Sequence, residues 1–427
     1  MDDYKALADR LASDITHGRL RPGEKLMPQR TFARRNSIAP STVSRVYGEL
    51  VRRGLAVGEV GRGTFVRARE DVTELPLAEP ASAHVDLELN FPVVPEQTAL
   101  VARSLTRMLR PDVLAEAQQP VGVTGTPQAR AAARQLIPAD RQIVFAGGGR
   151  QAIAAAIASL VPVGERLGVE RLTYSVVKGI AARLGVVLVP LPMDDEGLVP
   201  AGIQGVRAVY LQSALHNPLG VTMSSCRRAD IAEALRLNGL FAIEDRVNGF
   251  LHDEPLIDSD RTLIVDSLSK RVAPGLTLGI IAAPGSVVDR VVTAVRSGGW
   301  AAPRFSLDAG TGLITDGTVA EIGAAKRRDA LARQEIATRA LDGFTLRRDL
   351  RAYHMWWELP EPWRAETFVA AAARRGIAVT PAAAFAVGPS HAPNAVRLAL
   401  ASPPPATLAA ALATLASIAR SAPDTVD

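Results

Sequence analysis

Lys270 ends the run LIVDSLSK, an apolar stretch that reads as a β-strand, with Ser267 and Ser269 just before it. The chain has five lysines, at 5, 25, 178, 270 and 326, so an amine closing an apolar strand is hard to dismiss as a surface charge. Two other runs end on polar groups in the same way: Asp245 in AIEDR, and Asn217 in HNPLG, ahead of a proline–glycine turn. The C-terminal ends of strands are where open α/β sheets hold their ligands. A fourth run, AGGGRQAI, starts a helix with Gly147, Gly148 and Gly149, whose free N–H groups can cradle a phosphate. It fits a plain strand-to-helix turn equally well.

Those residues need a sheet to bring them together. From about residue 88, β-rich runs at 142–146, 186–191, 208–212, 240–244, 262–266 and 278–282 alternate with helical stretches such as 153–160 and 231–237. Alternation of this kind predicts an α/β domain over 88–427, with a mostly parallel sheet and helices on both faces. From about 341 the pattern changes to a smaller α/β subdomain, with a strand at MWWEL and two helices. Residues 70–87, EDVTELPLAEPASAHVDL, have no period and suit an extended linker.

The first 69 residues are a different kind of module. Residues 1–70 carry 14 basic and 8 acidic side chains, a net of +6, against +5 for the whole chain, so the rest is nearly neutral. A basic module joined to a neutral one suggests a polyanionic partner for the first part alone. Tyr4, Leu7, Ala8, Leu11 and Ile15 mark one helix, and Phe32 and Ala33 a second. Val43, Val46, Tyr47, Leu50 and Val51 are expected to turn a third helix inward. That leaves Ser41, Thr42, Ser44 and Arg45 at its exposed N-terminal end, groups suited to phosphates and base edges. The run LAVGEVGRGTFV then reads strand, turn, strand, with Arg62 at the tip between Gly61 and Gly63. Three helices and a hairpin make a winged helix-turn-helix.

Composition bounds the rest. With 427 residues, two or three domains are expected; 48% apolar and 22% charged residues exclude a disordered chain. No apolar run reaches the roughly 18 residues of a membrane span, and the charged N-terminus has no signal-like core. The single cysteine, Cys226, excludes a disulfide framework and a cysteine-ligated zinc cluster. A cytoplasmic protein is expected.

The N-terminal run resembles the DNA-binding domain of GntR-type transcription regulators. PGEKLMPQRTFA is similar to their PGxxLPSxRxLA signature, TVSRVYGEL to their recognition-helix pattern, and GRGTFV to their wing. The resemblance implies a double-stranded DNA operator as partner, with Arg30, Arg34, Ser41, Thr42, Arg45 and Arg62 as contacts. Gln29 stands where the signature has a small residue.

The larger domain resembles the fold-type I aminotransferases, which use pyridoxal 5′-phosphate (PLP). NPLG is similar to their NPTG motif, AIEDR to their aspartate strand, SLSK to their SxSK lysine motif, and NAVRLAL to their late strand-plus-arginine. A winged helix joined to this domain is the arrangement of the MocR-type subfamily of GntR regulators. The resemblance implies that Lys270 forms a Schiff base with the PLP aldehyde, that Asp245 pairs with the ring nitrogen, and that Asn217 bonds the phenolic oxygen. It further implies Gly149, Arg150, Ser267 and Ser269 at the phosphate, Tyr174 over the ring, and Arg397 on the carboxylate of an amino-acid effector. A head-to-tail homodimer is implied too.

Two departures bear on function. The family's tyrosine two or three positions after the aspartate is replaced by Val247 or Asn248, and its phosphate-clamping arginine by Thr277. Losing a charged hydrogen bond costs on the order of 1.5–3 kcal/mol, roughly tenfold or more in affinity. Arg150 and Arg271 are the arginines placed to compensate. The sequence therefore points to a regulator that binds PLP and senses an amine or amino acid, not to an efficient aminotransferase. A regulator that has lost PLP and senses another ligand is the alternative, and an active aminotransferase a more distant one. His216 and Cys226 receive no role.

Overall fold

The computed structural model describes residues 4–16, 19–20, 24–52, 55–59, 63–66, 83–388 and 392–423. The chain divides into two compact units, Met1–Leu75 and Pro76–Asp427.

In the first unit, helices Tyr4–Thr16, Gln29–Arg35 and Pro40–Arg52 precede an antiparallel hairpin of Ala56–Glu59 and Gly63–Val66. Ala8, Phe32, Val43, Val46, Tyr47 and Leu50 close the core, with Phe32 and Tyr47 edge to face at 5.6 Å. The Tyr47 hydroxyl donates to the Met27 carbonyl at 2.6 Å and ties the third helix to the segment before the second. Val51 was expected in this core but is 43% exposed, because it lies at the edge of the apolar stripe in the helix's last turn.

The second unit is built on a seven-stranded sheet in the order Gln142–Ala146, Gly279–Ala283, Thr262–Ser267, Phe241–Asp245, Ala208–Leu211, Arg166–Glu170, Val187–Leu191. Gly279–Ala283 runs against both its neighbours, and the other strands are parallel. Both faces are covered, as alternate residues show. Val144, Ala146, Ile281 and Ala283 face the apolar cluster of helices Gly149–Leu160 and Val288–Ser297. Ile143, Phe145, Ile280 and Ala282 face the cluster of helices Pro127–Leu136 and Arg304–Thr315. The strand Arg166–Glu170 has no counterpart in the sequence reading, since Gly168 and the charged residues at its ends mask its pattern.

The smaller subdomain holds His354–Glu358 between Leu346–Arg348 and Ala395–Ala399, with Thr380–Pro381 at the edge, under helices Ala365–Arg374 and Pro405–Arg420. One boundary needs correction. The expected linker 70–87 overruns into this domain, because Val85–Asp86 pairs in parallel with Ile377–Ala378 and Leu87 is fully buried beside Trp357 and Leu398. Among the described residues no helix is long and apolar enough to cross a membrane.

Candidate functional site

Strand Thr262–Ser267 runs into the one-turn helix Leu268–Arg271, which delivers Lys270 to the C-terminal edge of the sheet. Its amine points inward. It donates to the carbonyl of Asn90 and lies 4.0 Å from the centre of the Phe91 ring. Burial, then the charges of Arg397, Arg150 and Lys326, pull it down to about 7, with Asp245 opposing. A large share of the amine is therefore unprotonated near neutrality, the form that attacks a carbonyl.

On the neighbouring strand, Asp245 is 3% exposed. Oδ2 accepts from the Tyr210 hydroxyl at 2.6 Å and Gln212 Nε2 at 3.3 Å, and Oδ1 accepts from the Val247 N–H at 3.1 Å. Burial still pushes the carboxyl up to about 6, since no cationic side chain among the described residues lies within 4 Å. Gln212 also accepts from the backbone N–H of Asn217 at 2.8 Å, so one side chain holds both the acid and the amide in register.

The N-terminus of helix Gly149–Leu160 faces three hydroxyls. A Cβ on Gly148 would stand 3.2 Å from Thr277 Oγ1, and one on Gly149 would stand 2.8 Å from Ser267 Oγ. Ser269 and Thr277 share a hydrogen bond of 2.5 Å. This is a cradle of free backbone N–H groups and hydroxyls, open because two side chains are missing. Arg271 does not reach it: its guanidinium is bound to the buried Asp266 at 2.6 and 3.0 Å. Arg150 is exposed, and its charge acts on both Lys270 and the phenol of Tyr174, the residue just before helix Ser175–Arg183.

Arg397, in strand Ala395–Ala399, is 6% exposed. Nη1 donates to Asn217 Oδ1 at 3.3 Å, and Nη2 donates to Thr380 Oγ1 at 3.0 Å and to the Glu88 carbonyl. Its Nε has no partner, and burial pulls the guanidinium down to about 10. No carboxylate among the described residues lies within 4 Å of it. A buried guanidinium held only by neutral acceptors is a site for an incoming anion.

The structure thus brings Lys270, Asp245, Asn217, Gly149, Arg150, Ser267, Ser269, Tyr174 and Arg397 into one region. The sequence reading missed Tyr210, Gln212, Asn90, Phe91 and Thr380. Tyr210 sits in an apolar strand and reads as core, and Asn90 and Phe91 belong to an aperiodic run.

In the other unit, Arg30, Arg34, Ser41 and Arg45 are exposed and Thr42 is half-buried, all away from the core residues of their helices. The Arg45 guanidinium lies 4.0 Å over the Tyr4 ring. Arg62 lies outside the described residues.

Residues 3–66 match the family of bacterial regulatory proteins called gntR. The chain is 29% identical to YdeF of Bacillus subtilis, an uncharacterized HTH-type transcriptional regulator, over 94% of this chain and 90% of that one. It is 25% identical to PtsJ of Salmonella typhimurium, a vitamin B6 salvage pathway transcriptional repressor, over 79% of this chain and 80% of the relative. Among solved structures, the multiple substrate aminotransferase of Thermococcus profundus superposes with a TM-score of 0.72 at 21% identity, over 79% of this chain and 91% of that enzyme. The chain joins a GntR-type DNA-binding domain to a domain of aminotransferase-like fold. It is a DNA-binding transcription regulator with an aminotransferase-like domain.

The segment Glu88–Phe91 lies across the pocket. Its carbonyls at 88 and 90 accept from Arg397 and Lys270, and Ser402 Oγ donates to the Leu89 carbonyl at 2.6 Å. The segment continues the strand Val85–Asp86, the first described element after the DNA-binding domain.

Proposed function

We propose that the aminotransferase-like domain of this regulator binds PLP through Lys270 and senses an amine or amino acid that meets it there. The observation that carries the reading is the pairing of two basic side chains, the half-buried Lys270 and the buried Arg397, each bound to a backbone carbonyl of one segment and neither within 4 Å of a carboxylate among the described residues. The cofactor would supply an aldehyde and an electron-poor ring. The cradle of Gly148, Gly149, Ser267, Ser269 and Thr277 fits a phosphate, and Asp245 is the buried acid that would hold a proton at a ring nitrogen. Asn217 and Tyr174 border the same space, and Arg150 is the remaining guanidinium for the phosphate.

Arg397 then selects a carboxylate. An effector's carboxylate takes Nε and Nη2 with two parallel hydrogen bonds, and the Glu88 carbonyl must leave. Lys270 must likewise release Asn90 to bond the aldehyde. Occupancy therefore frees the segment that leads to the DNA-binding domain, and the free energy of binding biases how the operator is met. A homodimer reading two operator half-sites suits this coupling.

The test is an absorbance scan of purified protein with and without added PLP. A new band that Lys270→Ala abolishes is expected; no band, or one that survives Lys270→Ala, would overturn the cofactor assignment. Thr277 in place of a clamping arginine favours a second reading, a regulator that senses another ligand in the same pocket. That reading predicts operator binding indifferent to PLP.

A further inference from the structure

Lys326 is fully buried in helix Thr318–Ala340 and has no part in the function proposed above. Its Nζ donates to the carbonyl of Lys270 at 2.9 Å and to that of Val272 at 2.7 Å. Gln97 Nε2 also donates to the Val272 carbonyl, at 3.1 Å, and Arg271 between them is held by Asp266. The turn bearing Lys270 is thus clamped from three sides.

The amine is an expensive choice for that clamp. No carboxylate among the described residues lies within 4 Å; the neighbouring acid, Asp329, is engaged by Arg333 at 2.7 Å and by the Tyr353 hydroxyl at 2.9 Å. Burial pulls this amine down to about 7, so it is charged below that value and largely neutral above it, and a methionine would fill the same volume without the cost of burying an amine. What a methionine lacks is the two hydrogen bonds and the charge.

We infer that Lys326 is a positioning residue for Lys270: it locks the carbonyls at 270 and 272, which aims the Lys270 amine into the pocket, and sets a like charge behind it. This rests on the reading that Lys270 is the reactive amine. Arg397, Arg150 and Lys326 face Lys270 on the positive side and Asp245 on the negative, while burial keeps His354 neutral. Removing one of the three cations raises the proton affinity of Lys270 and lowers the share of amine able to react near neutrality.

The experiment titrates Lys270 in the cofactor-free full chain. Limiting acetic anhydride is pulsed at a series of pH values, and acetylation of the Lys270 peptide is followed by mass spectrometry. In Lys326→Met the midpoint should rise, by up to about one unit, which is a gain in proton affinity of up to tenfold. In Lys326→Arg, which keeps charge and donors, it should stay at or below the wild-type midpoint. A folded Lys326→Met protein with an unmoved midpoint would overturn the inference, and so would a raised midpoint in Lys326→Arg, which decides the matter if the methionine variant does not fold. No PLP is involved, so a failure of PLP to bind leaves this result readable and is scored separately.

Discussion

Tyr210 donates its hydroxyl to the carboxylate of Asp245 at 2.6 Å, and the pair is buried in the sheet with no cationic side chain among the described residues within 4 Å of the carboxylate. The bond lowers the proton affinity of Asp245, but burial outweighs it, and the carboxyl stands at about 6 in the fold against about 4 in an unfolded chain. The folded state therefore binds this proton more tightly. The contribution of Asp245 to stability is largest below about 4 and is lost as pH rises to about 6. In cofactor-free protein, Asp245→Asn should stabilise the fold on the order of 2 kcal/mol at neutral pH and give no gain in acid. Thermal unfolding across pH measures it; an unstable variant at neutral pH would contradict the burial argument.

Lys270 should set the pH dependence of cofactor attachment. Its amine is lowered to about 7, so the rate of covalent PLP binding should climb through that value and level off above it. Stopped-flow absorbance on mixing protein with PLP gives the profile. A rate still climbing toward the ordinary lysine range would mean that the amine is not held as the structure has it.

The glycine cradle can be filled from within. Gly148 has extended backbone, so Gly148→Ala adds no backbone strain, but its methyl would stand 3.2 Å from Thr277 Oγ1. Affinity for PLP should fall about tenfold, while pyridoxal, which has no phosphate, should bind as before. Equal losses for the two ligands would place the phosphate elsewhere.

On the DNA side, Arg30→Ala and Arg45→Ala should weaken binding to an operator duplex selected with wild-type protein. Each should reduce the slope of log affinity against log salt by about one. Tyr4→Leu removes the ring under Arg45 and should cost less than removing the arginine itself. Fluorescence anisotropy at several salt concentrations reads all three, and an unchanged slope would remove that arginine from the phosphate contacts.

The sequence makes one part of this site easy to find and hides another. Lys270, Asp245 and Asn217 follow apolar runs, and sheet topology gathers the ends of parallel strands whatever the loops do. The segment Glu88–Phe91 gives no such signal. It has no period, and its place depends on Val85–Asp86 pairing with a strand almost 300 positions away. For the same reason Arg271 reads as a free arginine although it is spent on Asp266. Side chains whose partners are set by long-range packing do not announce themselves locally.

The reversed strand Gly279–Ala283 has a bearing on how the molecule is made. Gln142–Ala146 has that strand as its sheet neighbour, about 130 residues downstream, and its other backbone contacts there are an isolated bridge to Ala301 and a bond from the Phe145 N–H to the Val123 carbonyl. While the ribosome is still translating the interval, an apolar segment waits with the edge toward that strand open. The early chain is thus exposed to aggregation, and a truncated product ending before residue 279 would keep that hazard permanently.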